Sequence, residues 1–146
     1  MDVQEFWNGL CELTDIHGTK GNSIISDAEI ADILVRFSDY ECENPNGTIN
    51  VYLLSTKQLI TLVYSCGDTI EVQRYPREKI VSIKTDYYKA ADTACQNRFS
   101  RVHLVRMYVK MAWGEEIIIK KPSKCARAIH AKWFQDFVKV LESNIN

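Results

Sequence analysis

The sequence predicts an α+β domain that is mainly antiparallel β. We expect a partly open barrel of about seven strands, capped by a C-terminal helix and preceded by an N-terminal helical extension. Three observations lead there. Between Asn44 and Lys120 the apolar residues recur with period two, as in strands that bury one face. Turn-forming groups such as Pro45-Asn46-Gly47 and Gly67-Asp68 punctuate that stretch. Near the end, Ala126, Ile129, Trp133, Phe137, Val140 and Leu141 form one helical stripe. Seven short strands cannot hide both faces alone, and a terminal helix can plug the open end of a bent sheet. At 146 residues the chain has the length of one domain. Residues 1–34 are read as the helical extension and 35–146 as the barrel with its helix.

The elements follow in order. Val3, Phe6, Trp7, Leu10 and Leu13 give a first amphipathic helix. A polar stretch with Gly18 and Gly21 breaks it. Ser26 and Glu29 form a capping box for a second helix, with Ile25 set to staple onto Ile30. Ile30, Ile33 and Leu34 are expected on one face of it. Residues 35–43 are read as the first strand and 49–54 as the second, turned by Ser55-Thr56-Lys57. Residues 58–64 are apolar on both sides, as in a strand covered on both faces. Ile70 and Val72 then alternate with Glu71 and Gln73. Residues 79–85 make a further strand. Residues 86–97 break the rhythm and are read as an irregular connection with room for a short helix. Residues 101–112 form a long strand with Val105, Met107, Val109 and Met111 inward, and Arg106, Tyr108 and Lys110 outward. Trp113-Gly114 turns into a strand over 115–120, and Pro122-Ser123 opens the last helix.

Composition narrows the class. The chain is 46% hydrophobic and 25% charged, which excludes a disordered, collagen-like or coiled-coil protein. Cys11, Cys42, Cys66, Cys95 and Cys125 are odd in number and contain no CxxC, so no zinc knuckle or dithiol redox pair is encoded. Widely spaced single thiols fit a reducing compartment. With no apolar run long enough for a membrane span, the expectation is a cytoplasmic protein without membrane insertion. Asn46-Gly47-Thr48 matches a glycosylation acceptor but is read as a turn.

The wording of two segments resembles the bacterial members of the pleckstrin-homology-like family. Val51-Tyr52-Leu53-Leu54-Ser55-Thr56-Lys57-Gln58-Leu59-Ile60 is similar to the family's strand, short Thr-Lys turn and strand. Arg74-Tyr75-Pro76-Arg77-Glu78-Lys79-Ile80-Val81-Ser82-Ile83 is similar to its proline-led start of the next strand. The resemblance covers about residues 35–142 and is a pattern of strands and turns. It implies a scaffold for recognition. Phosphoinositide-binding members carry several basic residues around the first strand pair. Here Asp39-Tyr40-Glu41-Cys42-Glu43-Asn44-Pro45-Asn46-Gly47 is acidic, which argues against that lipid site.

No catalytic constellation is legible. The sequence has no nucleophile elbow, Gly-rich phosphate loop or HExxH. A thiol at Cys66 or Cys95, the latter eight residues from His103, is the remaining enzymatic reading. Asp39, Glu41 and Glu43 would share a strand face, which reads as a solvated or guarded edge before it reads as a cation site. No metal or cofactor is implied.

Charge is unevenly distributed. The formal net charge is −1, yet residues 1–48 carry a balance of −8 and residues 98–132 one of +7. Two readings follow. The first is a non-enzymatic recognition module that binds another protein or itself. The second is an anion or nucleic-acid binder using the basic face. The candidate binding residues are Tyr87 and Tyr88, Arg98 and Arg101, the alternating Arg106, Tyr108 and Lys110, and Lys120, Lys121 and Lys124 ahead of the last helix.

Overall fold

Ser26 opens the first described helix. Its Oγ accepts the Glu29 N–H at 3.2 Å, and the Glu29 carboxylate accepts the Ser26 N–H at 3.1 Å. This is the capping box that the sequence predicts. A computed structural model describes residues 8, 25–38, 48–65, 70–89, 102–121 and 128–143. Helix α1 (Asp27–Ala31) is followed by β1 (Ile33–Ser38), β2 (Thr48–Ser55), β3 (Gln58–Ser65) and β4 (Ile70–Pro76). A single 3-10 turn (Arg77–Lys79) leads to β5 (Ile80–Lys89), β6 (Val102–Met111), β7 (Glu116–Lys120) and α2 (Ala128–Glu142).

All strand pairs are antiparallel, in a four-stranded sheet β1-β2-β3-β4 and a three-stranded sheet β5-β6-β7. Among the described residues no ladder joins the two sheets, so the barrel stays partly open. The α+β class, the seven strands and the C-terminal helix agree with the expectation. The β2–β3 turn is held by Ser55, whose Oγ accepts the Gln58 N–H at 3.0 Å and donates to the Gln58 carbonyl at 3.1 Å. In the β6–β7 turn Gly114 sits at φ +96°, a conformation in which a side chain would clash with its own backbone.

The four-stranded sheet is apolar on both faces. Leu54 and Leu59 point into the main core, while Leu53 and Ile60, directly opposite each other, point the other way. On that second side they meet Ile25, Ile30 and Ile33, so α1 and its flanks cover the sheet. The main core lies between the two sheets. There Met107, Val109 and Ile119 of the three-stranded sheet pack against Phe134, Phe137 and Leu141 of α2. Phe37 of β1 stacks edge-on against Phe134 at a centroid distance of 5.2 Å.

Three boundaries differ from expectation. The helical face that was to carry Ile30, Ile33 and Leu34 is cut short. Helix α1 has five residues, and Ile33 already pairs with Ser55 in β1, where a register shift leaves Leu34 exposed. A helix this short has few hydrogen bonds of its own, so strand pairing outweighs its period. The first strand accordingly begins at Ile33, and residues 39–43 lie outside the described residues. The irregular connection expected from residue 86 begins later, because β5 runs to Lys89 and pairs Tyr87 with Leu104 and Tyr88 with His103. The first amphipathic helix over Val3 to Leu13 lies outside the described residues except for Asn8, as do all five cysteines. In α2 the start at residues 122–127 and the side chain of Trp133 lie outside them as well.

Candidate interaction surface

The outer face of the three-stranded sheet gathers four of the candidate residues. Register places them in rows: Asp86, Arg106 and Lys120; then Lys84, Tyr108 and Ile118; then Ser82, Lys110 and Glu116. Residues opposite one another in adjacent strands share a face, so Arg106, Tyr108, Lys110 and Lys120 lie on one surface. Their inward neighbours Met107, Val109 and Ile119 are buried, which fixes the direction of the alternation.

The middle of this surface is tied together. The Tyr108 hydroxyl donates to Asp86 Oδ2 at 2.9 Å, and Arg106 Nε lies 3.6 Å from the same oxygen. The hydrogen bond to Asp86 holds the Tyr108 phenol above its usual range, because only the neutral hydroxyl can donate it. The Lys84 ammonium stands 4.9 Å from the Tyr108 ring centroid, a cation–π contact that occupies one side of the ring. A base cannot stack there without displacing that ammonium.

Apolar groups interrupt the charge. Ile118 of β7 is 44% exposed beside Tyr108. At one end of the sheet Val81, in the register shift that opens β5, is 55% exposed. Trp113 of the β6–β7 turn is 56% exposed, with its indole N–H donating to Glu115 at 3.1 Å. Val81, Lys84 and Ile118 are not among the candidate binding residues that the sequence singles out. Lys84 and Asp86 alternate on β5 with the same period as the β6 row, and three consecutive isoleucines at 117–119 require one of them to face outward.

Two further candidates, Tyr87 and Lys121, are described and stand apart from this cluster. Tyr87 is 57% exposed, but a register shift separates it from Asp86, and it pairs with Leu104 past the last β7 pairing at Arg106. Lys121 follows β7 half-buried and gives its N–H to the Val105 carbonyl at 2.9 Å. Arg98, Arg101 and Lys124 lie outside the described residues, as does the side chain of Tyr88. So do the Asp39, Glu41 and Glu43 row and the thiols of Cys66 and Cys95. Among the described residues no three His, Cys, Asp or Glu groups are placed to hold a metal. No helix among them is long and apolar enough to cross a membrane.

A second polar cluster sits at the β2–β3 end. Glu29 Oε2 receives the Gln58 amide at 2.6 Å and Arg74 Nε at 2.8 Å. A shallow, open depression there is lined by Ala28, Glu29, Asp32, Lys57, Gln58 and Pro76. The Glu29 carboxylate in it is already engaged by these donors and serves as a tie between α1 and the sheet. No family model, curated protein or solved structure matches this chain.

Proposed function

We propose that the chain is a non-enzymatic recognition module of pleckstrin-homology-like type that works in the cytoplasm. It binds another protein or a second copy of itself through the outer face of β5, β6 and β7. The observation that carries this reading is Ile118, an exposed isoleucine on the edge strand beside Tyr108, in the middle row of a sheet face whose charges are of both signs. Apolar groups set among charges of both signs suit protein surfaces better than phosphate chains. The family reading rests on the strand and turn wording of residues 51–60 and 74–83, with which a two-sheet arrangement and a terminal helix are compatible.

The second reading, an anion or nucleic-acid binder, draws on Lys84, Arg106, Lys110 and Lys120 of the same face. Against it stand Asp86 and Glu116 in that face and the lysine already seated over Tyr108. Capture from native cytosol by the immobilised chain separates the two. A bound protein that survives high salt, and that is lost from a Lys84→Ala/Tyr108→Ala variant, supports the proposal. Nucleic acid released by salt supports the alternative, because phosphate contacts weaken steeply as counterions are added. A chain that retains neither and does not self-associate overturns both.

A further inference from the structure

The β7 edge of the three-stranded sheet is self-complementary. Strand β7 lies at the end of its sheet, paired to β6 alone among the described residues. Two bonds fix the phase of that ladder: Met111 N–H to the Glu115 carbonyl at 2.8 Å, and Lys121 N–H to the Val105 carbonyl at 2.9 Å. In an antiparallel pair the bonded residues alternate. Ile117 and Ile119 therefore exchange their bonds with β6. The N–H and C=O groups of Glu116, Ile118 and Lys120 point to the opposite edge. The same three residues are exposed.

Around Ile118 the sequence reads Glu115-Glu116-Ile117-Ile118-Ile119-Lys120-Lys121, which is antisymmetric in charge. We propose that β7 pairs antiparallel with β7 of a second copy about a two-fold axis at Ile118, joining two three-stranded sheets into one. This names the partner within the self-association reading above and rests on it. The axis places Ile118 opposite its own copy, Glu116 opposite Lys120 and Lys120 opposite Glu116. Because Ile118 turns its N–H and C=O outward, the central pair is a bonded one, as an axis through it requires. Each Glu116 N–H meets a Lys120 carbonyl, and each Lys120 N–H a Glu116 carbonyl. A two-fold interface must be complementary to itself, and this run is.

Charge also selects the register. Parallel pairing would set like charges side by side, which is destabilising. A slip of two residues along the antiparallel edge would leave a charge against Ile118. The charged ends that protect an edge strand from indiscriminate pairing here favour a single alignment. Beyond the run, Gly114 and Pro122 end it on both sides.

The test is sedimentation of the purified chain over a range of concentrations, with charge-exchange variants. Glu116→Lys and Lys120→Glu should each weaken self-association by about tenfold, since two attractive pairs become repulsive. An equimolar mixture of the two should associate again, because every cross-pair is then opposite in sign. Ile118→Pro should stay folded, since that N–H faces away from β6, and should sediment as a monomer. A wild-type chain that is monomeric at its solubility limit overturns the dimer, while protein capture by the outer face still tests the wider reading. A dimer that all three variants leave intact, or single variants that fail to recover when mixed, overturns the β7 seam.

Discussion

Glu29 and Arg74, 45 residues apart in the chain, meet through an Nε–Oε2 contact of 2.8 Å. This pair fastens α1 to the far edge of the four-stranded sheet, whose outer side α1 covers. The Arg74 guanidinium, the Ser26 N–H and the Gln58 amide together pull the Glu29 carboxyl down from 4.5 to about 2, against the opposing effect of burial.

The first prediction follows from that shift. A carboxyl with a lowered pKa in the folded state stabilises the fold at neutral pH. The contribution is complete above the unfolded value of 4.5 and disappears as pH falls toward about 2. Since Arg74 is partly open to solvent, screening reduces the effect to roughly 1–2 kcal/mol. Glu29→Gln should cost that much in urea unfolding at pH 7, and the gap to wild type should close near pH 2. A gap that is constant with pH would show that the carboxylate charge contributes nothing.

Arg77 gives the second. It is a buried cation whose Nη1 donates to the Ser55 carbonyl at 2.8 Å, while Nη2 reaches the Val140 carbonyl at 3.4 Å. Those partners are the end of β2 and the last turn of α2, where free carbonyls and the helix dipole favour a positive charge. Burial pulls the guanidinium below its ordinary value, but it remains charged at neutral pH. Arg77→Met matches much of the volume and removes the donors. We expect a loss of about 1–3 kcal/mol, measured by urea unfolding, chiefly from the donor lost at the Ser55 carbonyl, since the Val140 carbonyl keeps the Ser143 hydroxyl at 2.6 Å. An unchanged midpoint would mean that the Ser55 carbonyl finds another donor.

The third prediction concerns Phe134, fully buried in α2 and edge-on to Phe37. Phe134→Ala should destabilise by about 3–5 kcal/mol, the usual cost of emptying an aromatic core site. Leu34→Ala, at an exposed position of β1, should stay within about 0.5 kcal/mol of wild type. Equal losses at the two sites would contradict the placement of α2 against β1.

Phe134 also marks how far the sequence could be read. Periodicity alone found the helix and placed Phe137 and Leu141 on its stripe, but it omitted Phe134 and Val138, which the structure buries. The stripe is wider than a single line because α2 shares the main core with β1 and with β6 and β7. The strands were legible wherever alternation was strict, as in β6. They were not where pairing overrode local pattern. Tyr87 and Tyr88 look like loop residues until β6 is beside them, and Ile33 looks helical until β2 is. For the candidate surface, Arg106, Tyr108 and Lys110 were visible from their spacing. The lysine over the tyrosine ring was not, because cross-strand register is a relationship between segments, here 24 residues apart.

The fourth prediction joins the two sheets. The Tyr75 hydroxyl of β4 donates to Glu115 Oε2 at 2.9 Å and also contacts the Gln73 side chain, so the four-stranded sheet is tied to the turn that leads into β7. Burial, reinforced by the Glu115 carboxylate, raises the phenol from 10.0 to about 12. For an acid whose folded pKa is raised, the stabilisation is present below the unfolded value and fades as pH climbs through the folded one. The fold should therefore lose stability between pH 10 and about 12 as the unfolded chain ionises first. Tyr75→Phe keeps the ring in the core and removes the hydroxyl. At pH 8 it should cost about 1 kcal/mol, the net worth of a typical hydrogen bond. Across the alkaline range it should unfold with a flatter pH dependence than wild type, since no phenol remains at that position to titrate. Chemical unfolding at closely spaced pH values, with tyrosinate absorbance followed in parallel, reads both effects. An alkaline slope identical in the variant would place the late-titrating phenol elsewhere and leave the Tyr75–Glu115 tie without energetic weight.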